Sequence, residues 1–267
     1  MIKGLVREKD EAGFGKCFLG NWVEDDTSYL FFSKPSRPII SDLVDHQPRL
    51  EFMDDFHFTY EQWQGESLGP IRVEDFLVIP PWDSVEDDRS ALQIILDPGV
   101  VFGSGLHPTT SDCLKALICL HGQYPIERVL DLGTGTGILA LAAAALGAER
   151  VLAVDLNPLS VKTTKRNIKL NQCEEIVSVF QGRAEDYVDE EADLVVANLH
   201  YAVIHDLLRN AAFHKKRFVI ISGLMRSQFL ELKSKLSEYH LAPMKVWDHE
   251  MTWYTLLARN LDLQIIN

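Results

Sequence analysis

Asp131 stands two residues before the first of three glycines, Gly133, Gly135 and Gly137, in the run VLDLGTGTGILA. Glycines at a spacing of two let a backbone take positive φ and approach a ligand with no Cβ in the way. A carboxylate beside such a loop repels a phosphate and attracts an ammonium. A dinucleotide-binding turn reads Gly-x-Gly-x-x-Gly and seats a pyrophosphate on the following helix. Here the third position after Gly135 is Ile138, so that register fails. These residues suit a nucleoside ligand that carries an amino-acid portion and no phosphate. S-adenosyl-L-methionine meets both conditions.

Three further positions extend that chemistry. Asp155, in AVDLNP, is an acid at the tip of the next apolar run, where a carboxylate can hold two ribose hydroxyls. Glu185 or Asp186, in GRAEDY, could accept from an adenine amino group, and either could equally be a helix-capping acid. Asn198 ends the run DLVVAN and is followed by His200 and Tyr201. An Asn amide oxygen can accept hydrogens from an amine and orient its lone pair. Methyl transfer from a sulfonium is an in-line displacement by an activated donor, so alignment and desolvation are the main requirements. A strong dedicated base is not needed. His200 is a candidate to take up a released proton, although a histidine beside a helix start is commonly a surface residue.

The elements that must position these residues are readable. RVLDLG, RVLAVDLN, IVSVFQG, ADLVVANL and RFVIISG are short apolar runs that read as buried strands. Between them, ILALAAAALGA reads as a helix with a glycine stop at Gly147, and PLSVKTTKRNIKLN as a helix with Pro158 at its first position. SQFLELKSKLSEYH reads as an amphipathic helix and MKVWDHEMTWYTLLAR as a terminal hairpin. Strands alternating with helices predict an α/β fold, a doubly wound Rossmann-like parallel sheet. Residues 1–65 have a different texture, in which YLFFS alternates with prolines and acidic clusters, and predict a small N-terminal α+β region. Residues 66–95 then read as a connector (YEQWQGESLGP leads into it) and a strand, RVEDFLVIPPW, ended by Pro80 and Pro81. The cofactor-binding domain is expected over 96–267.

The bulk numbers exclude some classes. Lys and Arg total 26 against 39 Asp and Glu, a net charge of −13, so direct nucleic-acid binding is not expected. The four cysteines, Cys17, Cys113, Cys119 and Cys173, form no C-x-x-C pair, so neither a metal site nor a disulfide framework is expected. No segment approaches the ~18 consecutive apolar residues of a membrane span. The expectation is a cytoplasmic protein with no membrane partner.

One loop remains to be explained. DPGVVFGSGLHPTTSDCL, residues 97–114, crowds three glycines, two prolines, a histidine and paired threonines between two regular elements. This run, with VLDLGTGTGILALAAAALGA, VLAVDLNP, DLVVANLHYAVIHDLL and IISGLM, resembles the bacterial ribosomal-protein lysine methyltransferases, the PrmA family. The resemblance covers about residues 70–260. It implies a class I methyltransferase fold, S-adenosyl-L-methionine as cofactor and ribosomal protein L11 as the kind of substrate. It also implies that Phe102 lies against the methionine end of the cofactor. Gly103 and Gly105 would allow close backbone approach, and Thr109 would bind the carboxylate or line the pocket. The expected cofactor-binding set is Phe102, Gly103, Thr109, Asp131, Gly133, Thr134, Gly135, Gly137, Asp155, Leu156, Glu185 and Asn198. The expected catalytic pair is Asn198 and His200, with no metal ligand. Residues 1–65 depart from the family's substrate-recognising domain, and Asn198-Leu199-His200-Tyr201 lacks the two prolines of many amine methyltransferases. Two alternatives therefore stand beside protein lysine methylation: methylation of a different protein or a small molecule, and a catalytically silent cofactor-binding module.

Overall fold

The computed structural model describes residues 1–59, 62–63, 69–84 and 90–263. Most of the connector at 60–70 lies outside the described residues, as does 85–89. The chain divides into two compact units, Met1–Ser67 with Asn157–Leu159, and Leu68–Leu156 with Ser160–Asn267.

The first unit is α+β. Strands β1 (Ile2–Lys3), β2 (Phe18–Glu24), β3 (Thr27–Phe32) and β4 (Glu51–Phe52) form an antiparallel sheet in the order β2-β3-β1-β4. Helices α1 (Glu8–Glu11) and α2 (Arg37–Asp45) accompany it. Ile2, Val6, Phe14, Ile40, Leu43 and Leu50 are its buried centre. Phe14, Phe18 and Phe32 pack there with ring centroids 4.8–5.7 Å apart.

The second unit opens with a three-stranded sheet, β5 (Ile71–Val73), β6 (Phe76–Ile79) and β7 (Leu92–Ile95), in that order. The single strand expected at RVEDFLVIPPW is therefore a hairpin. Glu74 takes φ of +49° and turns the chain between β5 and β6. A left-handed glutamate leaves no composition signal, because Gly, Asn and Asp are the usual residues at such turns.

The main sheet has the order β10-β9-β8-β11-β12-β14-β13. Its strands are β8 (Arg128–Leu132), β9 (Arg150–Asp155), β10 (Val177–Gln181), β11 (Leu194–Asn198), β12 (Phe218–Met225), β13 (Leu241–His249) and β14 (Trp253–Asn260). The first five in spatial order are parallel, and the terminal hairpin is antiparallel. Among the described residues it is accompanied by the α-helices α3 (Pro108–His121), α4 (Ile138–Ala145), α5 (Pro158–Leu170), α6 (Ala184–Tyr187), α7 (Tyr201–Arg209) and α8 (Arg226–Lys235).

Both faces of the sheet are buried, which is why its parallel strands read as unbroken apolar runs. Side chains alternate between two cores. Val129, Leu194, Val196, Phe218 and Ile220 join the core of α3 and α4, with Cys113, Leu117 and Ala140. Leu130, Leu132, Val195, Ala197, Val219 and Ile221 join the core of α7 and α8, with Ile204, Leu208 and Leu232. The period of two sends neighbours to opposite faces. Asp131 therefore falls in the same row as Val129, in register with Val196 and Ala153. Pro108 starts α3, where its missing N–H has no intrahelical partner to lose. All four cysteines are free. No helix among the described residues is long and apolar enough to cross a membrane.

Phe218 is fully buried, with its ring 4.8 Å from that of Tyr124. Phe218→Ala is expected to lower stability by about 3–5 kcal/mol. Leu230→Ala, on an exposed position of α8, is expected to stay within about 0.5 kcal/mol. Urea denaturation of both variants checks the contrast.

Candidate active site

β8 lies between β9 and β11. The chain builds outward from it through β9 and β10 on one side, and through β11 and β12 on the other. Ligands of open α/β sheets bind beyond the carboxyl ends of the strands at this reversal. Asp131 is the penultimate residue of β8, Asp155 the last of β9 and Asn198 the last of β11. Three separate strands thus bring three of the expected polar residues to one edge.

Asp131 is 1% exposed. One carboxylate oxygen, Oδ2, accepts from the Thr134 hydroxyl at 2.6 Å. The other, Oδ1, is buried and has no hydrogen-bond partner. The pKa is pushed up to about 7. Burial is the largest cause. The Thr134 bond opposes it, the Asp155 carboxylate adds to it, and the backbone at Ala140 opposes it weakly. A buried, unsatisfied carboxylate oxygen is costly unless something cationic pairs with it. The ammonium of an amino-acid ligand has the charge and donors to do so. Asp131 fits the amino-acid end of S-adenosylmethionine on that ground.

The glycine loop and the 97–107 segment are knitted together. Gly135 has φ of +57°, and a Cβ there would collide with the carbonyl oxygen of Phe102. Only glycine satisfies both conditions. The Thr136 N–H donates to that Phe102 carbonyl at 3.1 Å, and the Thr136 hydroxyl to the Gly103 carbonyl at 2.6 Å. On the other side, the Gly135 N–H donates to Asp155 Oδ2 at 2.9 Å, and the Thr164 hydroxyl of α5 to the Gly135 carbonyl at 3.0 Å. Gly133, Thr134 and Gly137 complete the loop. Gly133 and Thr134 N–H both donate to the Val154 carbonyl, and Gly137 is the left-handed residue before α4.

The Phe102 ring is 56% exposed, and sits edge-on to His107 at 5.1 Å. His107 in turn sits edge-on to Trp253 at 5.2 Å. It is the N-cap of α3, and its Nδ1 accepts the Thr109 N–H at 3.3 Å and lies 2.8 Å from the Thr109 hydroxyl. Burial, and secondarily the charge of His249, hold the imidazole below the usual histidine pKa. Thr109 is buried, and its hydroxyl is engaged by His107. Thr110 meets Asn198: the Asn198 Nδ2 donates to the Thr110 hydroxyl at 3.5 Å. That leaves the Asn198 amide oxygen as the free acceptor.

Other expected residues are placed less tightly. His200 is exposed at the N-cap of α7 and makes no capping hydrogen bond. Leu156 is 65% exposed just beyond β9. Glu185, in the first turn of α6, pairs with Arg183 at 3.1 Å. No group of three or more His, Cys, Asp or Glu residues able to hold a metal forms among the described residues. His107, Thr110, Thr136 and Trp253 escaped the sequence reading. The first two lie within the HPTT run, whose density was a usable signal. Trp253 arrives from a strand 146 residues after His107, and no local pattern announces it.

The family model described as "Ribosomal protein L11 methyltransferase (PrmA)" matches residues 48–260. The chain belongs to the PrmA family. Residues 1–47 lie outside the match. Within the family, the ribosomal protein L11 methyltransferase of Geobacillus thermodenitrificans is 40% identical over 172 residues, which cover 62% of this chain and 54% of that protein. The Aquifex aeolicus member is 37% identical over 203 residues, 74% of this chain and 75% of that protein. The chain spans little more than half the length of several curated relatives it matches. The crystal structure of the ribosomal protein L11 methylase from Lactobacillus delbrueckii subsp. bulgaricus superposes with a TM-score of 0.65 at 29% identity. It covers 72% of this chain and all of that one. The doubly wound sheet is thus the PrmA-type methyltransferase sheet, and the 97–114 run is one of the segments within the matched residues.

Asp131 has a raised pKa in the folded protein, so the folded state holds a proton that the unfolded chain releases between pH 3.8 and about 7. Ligand-free stability from this group therefore falls as pH rises through that window, by at most roughly 4 kcal/mol. Asp131→Asn is expected to remove that fall. In urea denaturation without ligand, the variant should gain on the wild-type protein from pH 5 to pH 8. Equal stabilities at both pH values would show that Asp131 is not held in the raised state.

Proposed function

We propose that the protein is an S-adenosylmethionine-dependent methyltransferase that modifies lysine ε-amino groups of ribosomal protein L11, in the cytoplasm. The observation that carries the reading is the buried, half-satisfied Asp131 carboxylate beside a glycine loop whose spacing rejects a pyrophosphate. Membership of the PrmA family supports it, as do the names of its relatives.

When bound, S-adenosylmethionine supplies a sulfonium-activated methyl group. The residues of the chain then have to bind, align and exclude water. In this reading Asp131 pairs with the amino-acid ammonium. Gly133, Thr134, Gly135 and Gly137 form the wall that admits close approach. Asp155 holds the ribose hydroxyls while bracing Gly135. Phe102 and Gly103 cover the methionine end, with Thr109 behind them as the anchor of His107. Leu156 and Glu185 sit toward the adenine. Asn198, held by Thr110 through its amide nitrogen, uses its amide oxygen to orient the acceptor amine. His200, exposed, takes up the released proton directly or passes it to water. The N-terminal unit is assigned to substrate recognition.

The amine must be neutral to attack. Turnover under chemistry-limited conditions should therefore rise with pH toward the unperturbed lysine value of ~10.4. A flat rate between neutral pH and pH 9.5 would argue against an amine acceptor. Asp155→Ala is expected to weaken S-adenosylhomocysteine binding by about 1–3 kcal/mol in calorimetry, as for loss of charge-assisted bonds. The direct test is methyl transfer from radiolabelled cofactor to purified ribosomal protein L11. Because residues 1–47 lie outside the family match, a second reading directs the same chemistry to another protein. Labelling of a different species in a lysate that contains ribosomes would favour it.

A further inference from the structure

The three-stranded sheet ends on β7, and no strand among the described residues pairs with its outer edge. Its even-numbered residues turn inward. The Leu92 N–H donates to the Asp75 carbonyl at 2.8 Å and the Leu96 N–H to the Ile79 carbonyl at 2.9 Å. The odd-numbered residues present their peptide groups outward, and two asparagines meet them, Asn167 in the last turn of α5 and Asn171 in the turn directly after it. Asn171 Oδ1 accepts the Ile95 N–H at 2.9 Å, and its Nδ2 donates to the Ile95 carbonyl at 2.7 Å. Asn167 Oδ1 accepts the Asp97 N–H at 3.0 Å, and its Nδ2 donates to the Asp97 carbonyl at 2.9 Å.

The geometry has a simple origin. Four helical residues rise about 6 Å and two strand residues about 6.6 Å. Side chains one turn apart on a helix therefore meet alternate residues of an extended chain running beside it. A carboxamide carries the same donor and acceptor as a peptide group. Two asparagines at i and i+4 thus stand in for a neighbouring strand at Ile95 and Asp97.

Asn167 does one thing that Asn171 does not. Its Nδ2 also donates to the carbonyl of Thr136, in the glycine loop, at 2.8 Å. Asn171 spends its additional bond on the Asn167 carbonyl, at the C-terminal end of α5. Asn167 is fully buried. Thr136 is the residue that holds Phe102 and Gly103. One amide therefore joins the start of the 97–107 segment to the glycine loop, and Thr136 closes the circuit at Phe102 and Gly103, midway along that segment.

We propose that Asn167 is a positioning residue for the cofactor cleft, setting the spacing between the glycine loop and the segment that begins at Asp97. The proposal rests on the cofactor reading given above. Asn171 supplies the internal control, because it clamps the same strand edge through the same chemistry without touching the glycine loop.

The test compares Asn167→Ala and Asn171→Ala in the full chain. Thermal unfolding without ligand should fall for both variants. S-adenosylhomocysteine binding by calorimetry should weaken at least tenfold for Asn167→Ala and stay within twofold of wild type for Asn171→Ala. In steady-state assays the Asn167 variant should show a raised KM for S-adenosylmethionine with kcat at saturation within twofold. If Asn167→Ala does not fold, Asn167→Asp carries the same comparison. It keeps the acceptor for the Asp97 N–H and, ionised, loses both donors. Unchanged binding in the Asn167 variant, with the wild-type protein binding normally, overturns the positioning role alone. Equal weakening in both asparagine variants overturns it too, reducing it to a stability effect. Failure of the wild-type protein to bind overturns the cleft reading and this proposal with it.

Discussion

A carboxylate sits where the alternation of a buried strand places an apolar side chain, and much of the site can be understood from that. Asp131 shares its row with Val129 and faces Val196 and Ala153 across the sheet. Water cannot solvate it there, and one hydroxyl satisfies only half of it. The ligand-free protein therefore carries an electrostatic penalty at the switch point of its sheet. Functional sites are where such penalties are found, because a partner that relieves one gains affinity and selectivity together. A cation is favoured here and a phosphate is opposed, and the nearby Asp155 reinforces both preferences.

The surroundings of Asp131 are built for fixed spacing. The glycine loop is held from three directions: by Asp155 at the end of β9, by Thr164 and Asn167 from α5, and through Thr136 by the Phe102–Gly103 backbone. Nearly all of these bonds use backbone groups that a glycine-rich turn would otherwise leave to solvent. A reaction that depends on alignment of an already activated donor needs such rigidity more than it needs a strong acid or base. The acceptor side follows the same logic. Thr110 engages the nitrogen of the Asn198 amide and leaves the oxygen available as an acceptor. Ser222 holds the Thr109 carbonyl and Thr255 from behind.

The doubly wound sheet is shared by proteins of many functions and does not itself name a reaction. What narrows the reading is the residue set at the strand tips, together with the HPTT segment. The N-terminal unit is a separate antiparallel sheet with its own aromatic centre, and residues 1–47 fall outside the family match.

The sequence by itself determined the parallel strands, the helices between them and the terminal hairpin, because apolar runs and glycine or proline boundaries are local patterns. It also marked the places of Asp131, the glycine loop, Asp155 and Asn198 at or just beyond strand ends, since the same patterns mark those ends. It did not reveal the turn at Glu74, where a residue without turn propensity adopts a left-handed conformation under the pull of strand pairing. The family resemblance offered Thr109 for the cofactor carboxylate or the pocket lining, and it could not say that the Thr109 hydroxyl lies 2.8 Å from His107 Nδ1 or that Thr110 meets Asn198. Only the tertiary structure decided those partners. It alone brought Trp253 to His107, and turned Asn167 and Asn171 from ordinary polar residues of a helix into the pairing edge of a strand. Hydrogen bonds between residues far apart in the chain depend on where each element packs, and no local period in the residues encodes that.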